Sequence, residues 1–335
     1  MSLLGRRDVI VGVSLAGLSV TGVSCTKVAP KAEPVATNLP PLPPPQIVTS
    51  AKPPDNLVKA VWEQGDTRVE EWELADQSQT TTRIAVLMPK EVAAPSPKKY
   101  PVLVALHGRG EALKKPTDGA LGWAKDYDLL RALGRVKEPP LTDADFQGFS
   151  DAARLRKMNE ALTSRAYGGM IVVCPYLPDL DLRQEAGMQL YGEYLVNMVL
   201  PLVRARLPAS ANPKATGIDG VSLGGAVGLF VGLTFAESFG SVGGLQPAIQ
   251  SADAELWVKR VQSARAKNET QVLRLLTSTK DYFREGIGRV SSILRSRKIT
   301  HEYLDVPGPH DYIFNRGPGA YELLYFHERA LGPAV

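Results

Sequence analysis

Cysteine is nearly absent from this 335-residue chain: only Cys25 and Cys174 occur, so no disulfide framework organises the fold. Histidine is equally scarce, with four residues. Neither these nor the carboxylates fall into metal-ligand spacing, and no glycine-rich phosphate fingerprint is present, so the sequence calls for no metal and no cofactor. Charge of one sign is lacking too. The 39 Lys and Arg against 35 Asp and Glu leave +4, and no basic run is interleaved with aromatics, which gives no footing for nucleic-acid binding. A bilayer-spanning run is also missing. The mostly apolar stretch from Val9 to Val23 is too short to cross a membrane comfortably, but it suits the core of an export signal.

What surrounds that stretch supports export. Arg6-Arg7-Asp8-Val9-Ile10 resembles a twin-arginine signal, and Gly22-Val23-Ser24-Cys25 resembles a lipobox, with Gly22 where Leu is usual. The reading is a signal peptide over 1–24 and lipidation at Cys25, giving a membrane anchor. Cleavage would remove two bases and one acid and leave a balance of +3. Residues 25–55 follow as a tether. Their Pro, Ala and Thr, including Pro40-Pro41-Leu42-Pro43-Pro44-Pro45, cannot bury enough apolar area to offset ordering entropy. Cys174, left without a partner, sits in the apolar run MIVVC and reads as a small buried strand residue.

Residues 56–335 are long enough for one α/β domain with a large core. Arg68 to Leu74 and Thr82 to Met88 suggest an antiparallel leading pair. Val102 to Leu106, Met170 to Cys174, Ala215 to Gly220, Ser241 to Leu245, Val272 to Thr277 and Glu302 to Val306 suggest mainly parallel strands after it. Between them Tyr191 to Leu207, Gly225 to Glu237, Ala254 to Lys267, Arg284 to Lys298 and Ala320 to Leu331 have helical length and spacing. The connection 110–169 is much longer than an ordinary joint and reads as a helical cap insertion. Its Trp123, Tyr127, Phe146 and Phe149 fit a local core better than a ligand pocket.

Chemistry concentrates around Gly220-Val221-Ser222-Leu223-Gly224, a G-x-S-x-G between an apolar strand and an apolar helix. A serine held on so tight a turn needs flanking glycines, and Ser222 is the candidate nucleophile. Of the four histidines only His310 occupies a loop just after a late strand, where an α/β sheet presents its chemistry. His107 reads as a turn-orienting residue. A third group must fix the imidazole tautomer, and Asp281, just past the strand VLRLLT, is the candidate acid. Asp253 and Asp305 compete for that role, Asp311 is poorly placed beside His310, and a helix N-cap is the ordinary alternative for Asp281. Backbone N–H groups of Leu223 and of Arg109, in the turn His107-Gly108-Arg109-Gly110, would form an oxyanion hole.

The HGRG turn, the GVSLGG elbow and the tail from TSTKDYFREG through VPGPHDYIF resemble the esterase D-type putative esterase family over about Val69 to Leu331. The resemblance implies an α/β-hydrolase fold, a mainly parallel central sheet flanked by helices, and cleavage of carboxylic esters or thioesters, including acylated carbohydrates. Related mycolyltransferases pass the acyl group to a sugar. Two departures stand out. Asp219 lies where the family more often has a small apolar residue, altering the electrostatics at the elbow; Arg109 and Glu111 follow His107, altering the mouth of the pocket.

The expectation is an exported serine esterase using Ser222, His310 and Asp281 on a small-molecule or carbohydrate ester. The alternatives are an acyltransferase on the same fold and a hydrolase-fold binding lipoprotein without catalysis.

Overall fold

The computed structural model describes residues 56–75, 81–93 and 97–334; the signal segment 1–24, Cys25 and the tether 25–55 lie outside the described residues. Among the described residues one mixed sheet is built from β1 (Val58–Gln64), β2 (Thr67–Ala75), β3 (Thr81–Pro89), β4 (Val102–Leu106), β5 (Ile171–Pro175), β6 (Thr216–Gly220), β7 (Ser241–Leu245), β8 (Val272–Lys280) and β9 (Glu302–Pro309). Their spatial order is β1-β2-β3-β5-β4-β6-β7-β8-β9. The first three strands run antiparallel to one another, β3 is antiparallel to β5, and every later pairing is parallel. Strand β1 extends the antiparallel edge beyond the pair legible in the sequence.

The helices are α1 (Arg109–Ala112), α2 (Pro116–Gly119), α3 (Leu129–Arg135), α4 (Ala152–Ser164), α5 (Glu185–Tyr194), α6 (Leu200–Arg206), α7 (Leu223–Thr234), α8 (Ala254–Lys267), α9 (Arg284–Ser296), α10 (Tyr312–Phe314) and α11 (Ala320–Leu331). The helix expected over Tyr191 to Leu207 is divided by a π turn at Leu195–Val199. Pro201 has no N–H to give one turn back, and the wider spacing accommodates the gap.

Strand alternation sends side chains to two cores. Val102, Val104 and Leu106 of β4 join one cluster with α5 to α9, whereas Leu103 and Ala105 join the other with α3, α4 and α11. This explains why β4 and β5 are apolar throughout: all five residues of each are buried, as strands covered on both faces require. The long connection 110–169 supplies α2, α3 and α4. It fills the second face of the sheet, with Trp123, Tyr127 and Phe146 buried in that core. The parallel strands β4, β6, β8 and β9 then bring the turns that carry the candidate residues to the same, carboxyl-terminal end of the sheet.

Candidate active site

The elbow follows directly from its glycines. Ser222 has φ 56° and ψ −116°, a conformation that costs on the order of 1–3 kcal/mol for a residue with a side chain. The turn is held from three sides: Val221 N donates to Leu106 O at 3.2 Å, Ser222 N to Leu245 O at 3.0 Å, and Ser222 O accepts from Ala248 N at 3.0 Å. Close packing leaves no room for side chains beside it. A Cβ at Gly220 would lie 2.5 Å from the Gly224 backbone, and one at Gly224 would lie 2.3 Å from His107 O. The Ser222 side is half-buried and opens onto a cleft of about 820 Å³.

His310 and Asp281 meet at the ends of adjacent strands. His310 Nδ1 lies 2.7 Å from Asp281 Oδ1. Asp281 Oδ2 accepts from Thr277 Oγ1 at 2.7 Å, and Oδ1 also accepts from Phe283 N at 3.0 Å. A carboxylate receiving these donors requires the proton on Nδ1 of the imidazole, which leaves Nε2 as the basic nitrogen. Gly308, at φ 139°, permits the bend before His310, and Gln246 Nε2 donates to Pro309 O at 2.8 Å and reaches Ser278 Oγ at 2.6 Å. Gln246 thereby ties the end of β7 to the loop carrying His310. The Phe283 ring, which lines the Ser222 cleft, stands 5.6 Å from the His310 ring. Sequence reasoning had no signal for Thr277 or Gln246, because their partners are fixed only by strand register. Two of the other acids are engaged elsewhere: Asp305 pairs with Arg284 at 2.8 Å and Asp311 caps α10 by accepting from Ile313 N at 2.9 Å, while Asp253 lines the Ser222 cleft.

Arg109 and Leu223 are the first residues of α1 and α7, so their N–H groups have no partner within their own helices. The turn before Arg109 is organised by His107. Its Nε2 accepts from Leu177 N at 3.0 Å and Nδ1 donates to Gly108 O at 3.0 Å, and burial lowers its pKa, so it is a neutral strut. The Arg109 side chain is exposed and pairs with Asp179 at 2.9 Å on the cleft rim. Glu111 corrects the expectation that it shapes the pocket mouth: its side chain is 1% exposed, turned into the protein, and accepts from Tyr312 Oη at 2.6 Å and from Tyr127 Oη.

Asp219 is entirely buried under the elbow. Its Oδ2 accepts from Arg274 Nη2 at 2.7 Å and His327 Nε2 at 3.0 Å, while its Oδ1 accepts from Gly220 N at 2.7 Å. His327 Nδ1 in turn lies 2.7 Å from Ser241 Oγ. This is a second Ser–His–Asp chain, but Ser241 is the first residue of β7, at the opposite end of that strand from the turns that carry Ser222 and His310, both it and His327 have no exposure, and the charge of Asp219 is compensated by Arg274. It is structural. Room for it comes from two glycines: a Cβ at Gly243 would stand 1.9 Å from Asp219 Oδ2, and one at Gly217 would stand 2.5 Å from His327 Nδ1.

Residues 145–284 match the model of the putative esterase family. The matched stretch holds Ser222 and Asp281 and stops short of both His310 and the turn at 107–110, a shorter reach than the resemblance over Val69 to Leu331. Solved structures share the architecture. A ferulic acid esterase is 16% identical with TM-score 0.60, over 80% of this chain and 99% of its own. The S-formylglutathione hydrolase of Staphylococcus aureus is 13% identical with TM-score 0.53, over 80% and 99%. A CE1 ferulic acid esterase of the anaerobic fungus Anaeromyces mucronatus is 19% identical with TM-score 0.54, over 83% and 97%. The fold is that of these α/β-hydrolases. No curated protein matches the chain in sequence. The matched family and this fold together support a carboxylic ester hydrolase.

Proposed function

We propose that this protein is a serine esterase that works through an acyl-enzyme. Ser222 Oγ attacks the ester carbonyl, His310 Nε2 takes the hydroxyl proton and returns it to the leaving alcohol, and Asp281 orients and stabilises the imidazolium. Backbone N–H groups of Leu223 and Arg109 receive the developing oxyanion, each worth roughly 3–4 kcal/mol of barrier when preorganised. Water then releases the acyl group. The observation that carries this reading is the Ser222 backbone: φ 56° and ψ −116° on the floor of an open cleft is a strain with no structural benefit of its own. The proton-relay partners add to it, since the Asp281–His310 bond leaves the basic nitrogen available.

For substrate class, the ferulic acid esterases among the fold neighbours favour esters of aromatic acids, and the lining of the cleft favours a polar alcohol partner. Its walls combine apolar Leu256, Trp257 and Phe283 with the Arg109–Asp179 and Arg260–Glu185 pairs, a mixture that fits a polyhydroxylated alcohol better than a long alkyl chain. We also propose export and lipid anchoring at Cys25 behind the 1–24 signal, with residues 25–55 as tether to the catalytic domain at 56–335.

An active-site-directed fluorophosphonate should label Ser222, and a panel of p-nitrophenyl esters of graded chain length with acetylated and feruloylated sugars should define the acyl preference. Ser222→Ala should lose both labelling and turnover while keeping its fold. Normal turnover by a folded Ser222→Ala protein sinks the assignment. Preferential capture of the acyl group by an added sugar over water would move the reading to acyl transfer.

A further inference from the structure

Arg109 and His310 stand at the ends of β4 and β9, with β6, β7 and β8 between them in the sheet. No ladder hydrogen bond sets one against the other. A single buried carboxylate does. Tyr312, two residues beyond His310, donates from Oη to Glu111 Oε1 at 2.6 Å. Tyr127 donates to Glu111 Oε2, and its Oη accepts from Gly108 N at 3.0 Å. The result is a continuous chain from the His107–Gly108 peptide, one residue before the Arg109 N–H, through two phenols and one carboxylate, to the helical turn that follows His310.

Two further features show that the chain is built around this carboxylate. A Cβ at Gly122 would lie 2.6 Å from Glu111 Cγ, and a Cβ at Gly110 would lie 2.8 Å from Tyr312 Oη, so glycines clear both contacts. The nearest cation, Lys114 Nζ, is 3.7 Å away and is engaged by Asp126 at 2.7 Å. An ionised group in so buried a place is costly unless its hydrogen bonds are satisfied, and an apolar residue would fill the space more cheaply if filling were the only need. Burial and the neighbouring Glu111 hold both phenols above their ordinary pKa, so both remain donors. Bonds to an ionised acceptor are shorter and stronger than neutral ones and polarise the next link. Drawing the Gly108 N–H inward to Tyr127 fixes the peptide that precedes the Arg109 N–H.

We propose that Glu111 is a positioning residue that holds the oxyanion-hole turn and the general-base loop in one register, acting through Tyr127 and Tyr312. The inference rests on the esterase reading for its catalytic consequence, and touches no reacting atom itself.

The test uses the full chain carrying Glu111→Gln, Tyr312→Phe or both, with kcat and KM on p-nitrophenyl acetate measured well below each thermal midpoint. Amide hydrogen exchange over residues 107–112 is followed in parallel. Tyr312→Phe and Glu111→Gln should each lower kcat about ten-fold with KM within about two-fold, since the register matters in the transition state rather than in ground-state binding. The double variant should be no slower than Glu111→Gln alone, because both act through one carboxylate. Exchange at 107–112 should accelerate in Tyr312→Phe, although the substitution lies on the other loop. Unchanged kcat and unchanged exchange in folded Tyr312→Phe, or kcat losses that multiply in the double variant, overturn the proposal. Should Glu111→Gln fail to fold, Tyr312→Phe decides, its ring being partly exposed. A wild-type protein that turns over no ester would strike down the esterase reading instead, and the exchange result in Tyr312→Phe would still judge the link between the two loops.

Discussion

Asp281 and His310 are joined by a 2.7 Å hydrogen bond between the ends of β8 and β9, and the same carboxylate is filled on its other side by the Thr277 hydroxyl. Each hydrogen-bond partner of the Asp281 carboxylate is a donor, so the position demands an acceptor on both oxygens. Asp281→Asn would turn an amide N–H against either Thr277 or His310. In the second case the imidazole is driven to the wrong tautomer, with Nε2 protonated and unable to accept from Ser222. The expected result is a fall of roughly 10³- to 10⁴-fold in the acylation rate with little change in KM. Single-turnover kinetics with a p-nitrophenyl ester measure it. Asp253→Asn, on the cleft wall, should stay close to wild type; the reverse pattern would move the acid to Asp253.

The strain at Ser222 makes a separate prediction about stability. Ser222→Ala keeps a Cβ at φ 56° and retains the strain, whereas Ser222→Gly relieves it. Against this, glycine adds freedom to the unfolded chain, at roughly 0.5–1 kcal/mol. Relief of the order of 1–3 kcal/mol exceeds that loss, so Ser222→Gly should unfold at higher denaturant than Ser222→Ala by about 1 kcal/mol. Equal midpoints would mean that the elbow is held without appreciable strain.

The parts of this molecule that were legible in the sequence are those governed by local chemistry. The run VLVAL reads as a doubly covered strand and is β4; the spacing in 254–267 and 320–331 reads as helix and is α8 and α11. The glycines around Ser222 announce the tight turn because no other residue fits there. Strand β1 escaped although Val58, Ala60 and Trp62 alternate with exposed Lys59, Val61 and Glu63: Val61 blurs the pattern by being apolar on the solvent side, and no residue of this edge strand is fully buried. The buried network escaped for another reason. Asp219 reads as an oddity beside the elbow, but its partners Arg274 and His327 lie 55 and 108 residues on, and only the fold brings them together. Glu111 likewise sits in a turn whose sequence says exposed; its inward rotation depends on Tyr127 and on Tyr312, 201 residues away.

That buried network should respond sharply to loss of either charge. Arg274 and Asp219 have no exposed side-chain area, and Arg274 also donates to Glu322 O at 2.6 Å. Removing one partner from such a pair leaves an uncompensated charge and costs roughly 3–5 kcal/mol. Arg274→Met and Asp219→Asn should therefore each destabilise by about that amount, while the double variant should lose markedly less than the two combined. Urea unfolding of the three variants gives the coupling directly. Additive losses would show the pair to be energetically independent.

The same region fixes how stability depends on pH. Burial lowers the pKa of His327, and of His107 at the turn, so both are neutral in the folded protein below the pH at which they charge in the unfolded chain. The unfolded imidazoles protonate near pH 6.5, so between that value and the lower folded values the unfolded chain holds more protons. Stability from these groups is complete above about pH 6.5 and is lost as pH falls through the window below it. Denaturant midpoints should accordingly drop between pH 7.5 and pH 5, with a shallower slope in His327→Gln. An unchanged slope in that variant would assign the dependence to other groups.

The last prediction concerns where the enzyme works. The Arg6-Arg7 pair, the apolar run to Val23, Cys25 and the proline-rich stretch that follows form the order expected of an exported lipoprotein: signal, acylation site, spacer. If Cys25 is the first residue of the mature protein, it should carry the several acyl chains that firm anchoring requires, because a single chain binds a bilayer only marginally. A Pro-, Ala- and Thr-rich spacer has too little apolar content to form a core of its own, so activity on soluble esters should not depend on the anchor. Mass spectrometry of the mature N-terminus should find a lipidated Cys25, and Cys25→Ser should release the protein from the membrane fraction with kcat on soluble esters unchanged. An unmodified terminus, or fractionation indifferent to Cys25→Ser, would reduce the segment to a secretion signal or an uncleaved anchor and leave the chemistry at Ser222 as argued.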